Sequence, residues 1–330
     1  MVYNKPAIIA AVSKRCFVEI RPTNYSKIKI YSKNFIKEIT LTSEEIIKKF
    51  NNAQKDWETY SGNNDVNLLK HITKNDLDYP QIIIGQFLNY FKLKSVGGFD
   101  LIIDSEIPVG AGMGSSGALA VSIIGALSLF TNKPLDKKTI NEIAFLAEQK
   151  KHGKPSGGDN STSCFGGLVW FKKDEGLKPL GIDLPKSVSN NFYIINTGTP
   201  KETTGEMVSL VRGMIEKNPD QIQEIFDEQE KLVKELLVAL KNKVDEEIIE
   251  IIKSGEANLE KIGVVSKFSQ NIIREIENSG GAAKICGAGG ISKSTGIILI
   301  YHREETRLKE IGLDYQSLIL GAEGLRIENE

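Results

Sequence analysis

Residues Pro108 to Ala118 read P-V-G-A-G-M-G-S-S-G-A. An apolar strand candidate, Phe99-Asp-Leu-Ile-Ile-Asp104, precedes them, and a long apolar helix candidate, Ser116 to about Phe130, follows. Glycines at 110, 112 and 114 let the backbone approach a bound group closely and take up positive φ. Ser115 and Ser116 stand where the helix begins. A helix N-terminus presents unpaired N–H groups and a partial positive charge, so strand, glycine loop and helix together make a phosphate cradle. The plainer alternative is a glycine-rich turn with serine N-caps. The expectation is a site for a nucleotide triphosphate.

Neither of the two common nucleotide motifs accounts for this loop. Gly112-Met-Gly114-Ser-Ser-Gly117 fits G-x-G-x-x-G, which needs a following strand that ends in an acidic residue about 20 positions on. Asp136 instead falls at a helix start, after Thr131-Asn-Lys-Pro134. The pattern G-x-x-x-x-G-K-[ST] does not occur either.

The 330 residues suffice for two domains or one large one. With 42 basic and 43 acidic residues, no global field recruits nucleic acid or an anionic membrane. No apolar run approaches the ~20 residues of a membrane span, and Met1-Val-Tyr-Asn-Lys opens no secretory segment. Cys16, Cys164 and Cys286 are odd in number and far apart, which suits a reducing cytoplasm. His71, His152 and His302 are scattered and argue against a histidine metal site.

Periodicity gives strands at Arg15–Ile20 and Lys27–Tyr31, with a turn at Pro22-Thr-Asn-Tyr. A helix starts near Thr42 or Ser43, and Gln54 to Asp65 reads as polar and irregular. Helices follow at Tyr79–Phe91 and Asp136–Lys151, the second with Asp136 as N-cap and Gly153 beyond its end. Gly167–Phe171, Asn191–Asn196 and Gly296–Tyr301 read as strands, and Pro219–Lys241 and Asp245–Lys253 as helices. Pro185 to Asn191 is taken as a linker, dividing the chain into 1–188 and 189–330. Paired strands and blocks of helices favour α+β over a doubly wound parallel sheet.

A second group of residues carries chemistry: Lys150-Lys-His-Gly-Lys-Pro-Ser-Gly-Gly-Asp-Asn-Ser-Thr-Ser163. Phosphoryl transfer needs a carboxylate to orient the attacking hydroxyl and take its proton, with metal ligands across the phosphates. Asp159, read in a Pro-Ser-Gly-Gly turn, suits the first role, and Glu148 can offer an oxygen to Mg²⁺. The competing readings are a turn-forming Asp and a solvated Glu late in a helix.

With these residues in hand, the chain resembles the GHMP kinases (galactokinase, homoserine kinase, mevalonate kinase and phosphomevalonate kinase). The 108–118 stretch is similar to their P-x-x-x-G-L-G-S-S-A-A loop. Three further segments, and the start of a third glycine motif, look most like the mevalonate kinase branch. Val2-Tyr-Asn-Lys-Pro-Ala-Ile8 resembles V-V-Y-G-K-P-A-I, and the segment from His152 to Gly167 resembles H-G-x-P-S-G-x-D-N. Asn196-Thr-Gly-Thr-Pro-Lys-Glu-Thr203 is similar to N-T-x-x-P-R-x-T, and Lys284-Ile-Cys-Gly-Ala-Gly-Gly290 to K-x-T-G-A-G-G.

The resemblance implies a ribosomal-S5-domain-2-like amino domain and a ferredoxin-like carboxyl domain. It also implies ATP- and Mg²⁺-dependent phosphorylation of the mevalonate 5-hydroxyl, in isoprenoid precursor biosynthesis. Carried over by position, Pro108, Gly110, Ala111, Gly112, Met113, Gly114, Ser115 and Ser116 bind ATP, joined by Gly287, Ala288 and Gly289. Ser116 and Glu148 ligate the metal, Asp159 is the catalytic base, and Lys201 and Thr203 face the substrate, Lys201 in place of an arginine. A small-molecule substrate, a possible homodimer and a cytoplasmic location are implied. Phosphomevalonate kinase, a mevalonate 3-kinase and an inactive ATP-binding homologue remain alternatives. The given sequence begins at Met1-Val-Tyr, after the place of the family's first motif, P-G-K-x-x-L-x-G-E-H, and that motif is expected upstream. Gly290-Ile-Ser-Lys-Ser-Thr295 interrupts the usual glycine run, and Lys293 there is read as reaching a phosphate or solvent. Gly117 replaces an alanine, at about 1 kcal/mol of helix propensity and no expected functional effect.

Overall fold

A computed structural model describes residues 3–63, 65–242 and 244–328, so Val2 of the Val2–Ile8 segment lies outside the described residues. The amino half forms β1 (Ala7–Ala10), β2 (Cys16–Pro22), β3 (Ile28–Ser32) and β4 (Lys37–Leu41), then α1 (Ser43–Asn63), α2 (Val66–Ile72) and α3 (Asp78–Tyr90). Next come β5 (Phe99–Ser105), α4 (Ser115–Phe130), α5 (Lys137–His152), α6 (Gly158–Phe165), β6 (Leu168–Lys172) and β7 (Gly176–Pro179). The remainder is α7 (Lys186–Ser189), β8 (Phe192–Asn196), α8 (Thr204–Lys217), α9 (Pro219–Asn242), α10 (Asp245–Lys261), α11 (Lys267–Asn278), β9 (Ala282–Ile285), β10 (Ile297–Tyr301), α12 (Glu305–Glu310) and β11 (Gln316–Leu318).

Two compact units emerge, and they interleave along the chain. One is built from Lys14–Ile107, Gly114–Gly166 and Glu323–Glu330. Its sheet has the order β2-β5-β3-β4, with β3 parallel to β5 and the other pairs antiparallel. Successive side chains of a strand point to opposite faces. Ile28 and Ile30 of β3 and Phe99, Leu101 and Ile103 of β5 therefore share one buried face. That face packs with Phe50 of α1, Ile82, Ile83 and Phe87 of α3, and Val121, Ile124 and Leu127 of α4.

The other unit is built from Met1–Ser13, Pro108–Met113 and Gly167–Ala322. It holds an antiparallel sheet β1-β6-β7 and a second antiparallel sheet β11-β8-β10-β9, which carries helices over two apolar clusters. Mixed and antiparallel sheets with helices in blocks make the chain α+β, as expected.

Several local expectations fail. Gln54 to Asn63, read as irregular, continues α1. Ala53, Trp57 and Tyr60, spaced by four and three, carry the stripe begun by Ile46 and Phe50, and tertiary packing of that stripe overrides the polar residues between them. Helix α10 runs on to Lys261 where Lys253 was expected to end it, burying Gly255, Glu256 and Asn258 in its added turns. Helices α8 and α11 went unread. Pro185–Asn191, read as a linker, holds α7, and Val188 is 1% exposed there.

Candidate active site

In the unit that holds α4, the sheet hands the chain to the glycine loop at the end of β5, and α4 starts at Ser115 behind Gly114. Gly114 has φ +70°, a left-handed conformation that favours glycine. Gly114, the N-cap residue, has no side chain to cap this N-terminus, and the first amides of a helix have no partner within it.

Opposite lies the last turn of α5. Asp136 starts this helix, accepting the Thr139 N–H at 2.7 Å, and Gly153 ends it. Spacing of three and four along the helix puts Glu148, Lys151 and His152 on one face. Glu148, expected to be solvated under the plainer reading, is 2% exposed. Ser116 Oγ donates to Glu148 Oε2 at 3.1 Å, and Tyr79 of α3 donates to Oε1 through a short hydrogen bond. His152 Nε2 lies 2.9 Å from Ser116 Oγ. With the imidazole proton on Nε2, every hydrogen in the chain His152→Ser116→Glu148 finds an acceptor, and that assignment follows from the network.

Burial, the largest influence on Glu148, raises its pKa, while Tyr79, Lys151 and Ser116 pull the other way. Lys151, its ammonium 4.5 Å from the centre of the Tyr79 ring, is lowered by burial. His152 is held below its ordinary value by burial and then by Lys151. Its side chain keeps 45% exposure, so water moderates that effect, but the direction leaves the ring neutral near pH 7. The 3.7 Å approach of His152 to Glu148 is therefore no ion pair.

Asp159 lies in the first turn of α6, a helix and not the turn expected, behind Gly157 at φ +80°. Its carboxyl stands over Gly114 at the start of α4: a Cβ built on Gly114 would lie 3.2 Å from Asp159 Cγ. Burial raises its pKa, Glu148 raises it further, and His152 opposes them. Asp159 is nonetheless exposed to solvent, which screens this effect and leaves only its direction. Gly117 turns out to matter. A Cβ there would sit 2.7 Å from Asn160 N and 2.9 Å from the Asp159 carbonyl carbon, so α4 and α6 meet backbone to backbone.

Ser116 Oγ and Glu148 suit Mg²⁺. Adjacent octahedral ligands at 2.0–2.1 Å lie about 2.9 Å apart, close to the pair found here, and a buried carboxylate calls for a counter-charge. Among the described residues no three His, Cys, Asp or Glu groups converge on one point.

The other unit gathers the remaining expected residues. Gly112 packs on the third glycine motif: its built Cβ would lie 3.3 Å from both Cys286 O and Gly287 Cα. Ala111 is buried and its carbonyl accepts the Ile297 N–H at 3.1 Å, while Met113 and Ala288 pack on apolar clusters. A Cβ on Gly110 would come 3.8 Å from Thr199 Cγ2, and one on Gly289 would clash with Val264 O at 2.1 Å. Pro108 lines a small recess with Ile194, Asn196 and Gln316. Lys201 is exposed. Thr203 caps α8 in a reciprocal box with Glu206, giving its one hydroxyl proton to Glu206 Oε2 at 2.9 Å. It has no hydrogen left for a substrate carboxylate unless that bond is exchanged. Lys293 is exposed, as the solvent reading has it, with its ammonium 5.6 Å from the centre of the Phe268 ring.

Tyr79 escaped the sequence reading, and Lys151 and His152 entered it without a role. For Lys151 and His152 the helical spacing from Glu148 was signal enough. Tyr79 lies 69 residues from its partner, and nothing local marks it.

The family model for the GHMP kinases N terminal domain matches residues 79–167, a stretch that holds all the residues of this first constellation. A mevalonate kinase of Pyrococcus horikoshii is 30% identical over 336 residues, spanning 99% of this chain and 93% of that protein. A mevalonate kinase of Mus musculus is 27% identical, spanning 88% of this chain and 80% of its own. The solved Methanococcus jannaschii mevalonate kinase superposes with a TM-score of 0.79 at 25% identity, covering 97% of this chain and 92% of that one.

Proposed function

The chain belongs to the GHMP kinase family, and from that membership we propose that it moves the γ-phosphoryl group of ATP onto the 5-hydroxyl of mevalonate. The observation that carries the reading is the meeting of Asp159 with Gly114 beside the Ser116–Glu148 pair, at the uncapped start of α4.

The first-turn amides at Ser115 and Ser116 and the positive end of α4 hold phosphate oxygens in this reading. Pro108–Met113 and Gly287–Gly289 are assigned to the nucleotide from family membership, and within their unit Gly112 and Gly287 meet closely. Ser116 and Glu148 would hold Mg²⁺, which when bound neutralises charge across the β and γ phosphates. His152 and Tyr79 keep those two ligands oriented. Asp159 accepts the proton of the attacking hydroxyl, and its raised pKa makes it a better acceptor than an ordinary aspartate. Lys201 is assigned to the mevalonate carboxylate, with Thr203 as a second contact once it exchanges its bond to Glu206.

A phosphorylated substrate would need further cations, and the position of Lys293 over Phe268 does not favour it. Three free cysteines support a cytoplasmic setting. A homodimer rests on family likeness alone and is read by light scattering.

An ADP-coupled assay with mevalonate, phosphomevalonate, homoserine and galactose tests the reading. Mevalonate should be the preferred acceptor, and Asp159→Asn should lower kcat by ~10²–10⁴. Release of ADP that no acceptor stimulates would end it.

A further inference from the structure

Glu256 lies in the turns of α10 that the sequence did not reveal, and it is 0% exposed. Ionisable side chains are almost never buried to this degree without a partner. Its partner is a backbone group: Glu256 Oε2 accepts the N–H of Ile285 at 3.0 Å. Ile285 ends β9, the outer strand of the β11-β8-β10-β9 sheet. The next amide, Cys286 N–H, turns the other way and reaches Ile297 O at 2.8 Å. Glu256 thus takes the last outward N–H of an edge strand, at the point where the chain enters Cys286–Gly290. Farther on, that loop is tied by Gly290 N–H to Val264 O at 3.0 Å, and Gly287 abuts Gly112.

We propose that Glu256 is a positioning residue for the Cys286–Gly290 loop, fixing the direction in which the chain leaves β9 and thereby the grip of that loop on the triphosphate. The proposal rests on the reading of the loop as part of the nucleotide site. Nothing in the family motif quoted above reaches as far as α10.

The charges around Glu256 are few. Lys284 of β9 sends its ammonium to Ile285 O at 2.5 Å, and Arg274 of α11 pairs with Glu260 and with Glu277. Burial pushes Glu256 up to about 7; Lys284, the Ile285 amide and Arg274 oppose this, and Glu260 adds to it. Among the described residues its Oε1 finds no hydrogen-bond partner. The ionised form is therefore poorly housed while the loop is closed, and opening that admits water relieves it.

Cys286 supplies the readout. Cys16 is partly exposed like Cys286 while Cys164 is buried, so alkylation is followed on the peptide that carries Cys286. Glu256→Ala leaves a buried amide without an acceptor and should speed alkylation of Cys286 roughly tenfold. Glu256→Gln still offers a carbonyl oxygen to Ile285 and should stay within about twofold of the parent. KM for ATP should rise in the alanine variant, while kcat and KM for mevalonate hold. From about pH 6 to pH 8 the parent's alkylation rate, relative to Glu256→Gln, should climb as Glu256 ionises.

An unchanged Cys286 rate in a folded alanine variant overturns the proposal. Should that variant fail to fold, a parent and Glu256→Gln pair with the same pH profile overturns it instead. Faster alkylation with an unmoved KM for ATP sinks the proposal and leaves the kinase reading standing. The thiol measurement needs no turnover, so failure of the kinase reading would be seen separately.

Discussion

Asp159 must be ionised to accept a proton, and its surroundings resist ionisation. Burial and the neighbouring Glu148 both favour the neutral carboxyl, so the acid limb of kcat/KM should fall above the ordinary aspartate value of 3.8. A pH–rate profile checks this, and a limb at or below that value contradicts the environment described. The same sign holds for stability: a carboxyl raised in the folded state favours folding at low pH, and its contribution fades as pH climbs past the unfolded value. Tyr79 acts at one remove. Removing its hydroxyl in Tyr79→Phe frees Glu148 Oε1 inside the protein, and loss of such an outer partner typically weakens metal binding about 10- to 100-fold. Thermal shifts measured against Mg²⁺ at fixed ATP would report that loss without turnover, and an unshifted Mg²⁺ dependence would remove Tyr79 from the site.

At the scale of elements, α5 is the piece best read from sequence, since Asp136, the apolar spacing and Gly153 all mark it locally. Helix α1 is the opposite case, for its second half is helical only because α5 is there to pack on. Trp57 Nε1 donates to Gly153 O at 3.1 Å, and the Lys150 ammonium lies 4.6 Å from the Trp57 ring centre and 5.9 Å from that of Phe50. Lys150 is 3% exposed, and burial lowers its pKa to about 8. The folded state thus disfavours the ammonium, although the two rings return part of the cost, ~0.5–2 kcal/mol. Stability should rise with pH between the folded value and the ordinary 10.5, on the order of 1 kcal/mol per pH unit. Lys150→Met should abolish that slope, and parallel melts at about pH 7 and pH 9.5 would show it. Equal slopes in both proteins would mean that the amine reaches water.

For the whole molecule, a ligand that binds only the folded chain adds RT ln(1 + [L]/Kd), about 2.7 kcal/mol at 100 Kd. MgATP should raise the melting temperature of the parent and of Asp159→Asn alike, because in the proposed site that carboxylate serves the hydroxyl and not the phosphates. Stabilisation lost in the variant would reassign Asp159 to nucleotide binding. The α+β class was open to a reader of the sequence because paired strands and helical stripes are local patterns. The interleaving of the units was not, since β1 pairs with β6 across some 160 intervening residues and no local pattern encodes that choice. Glu148 was legible as a carboxylate but not as a buried one, for its hydrogen-bond partners come from other helices.

Gly117 carries the longest consequence. Where α4 and α6 touch through bare backbone, neither helix can absorb a new methyl group by turning a side chain aside. A residue larger than glycine at 117 thus requires the start of α6 to shift away from α4. In a random mutagenesis library, alanine at 117 alone should appear among the inactive clones. It should return among the active ones only in company with a second change that reseats the start of α6.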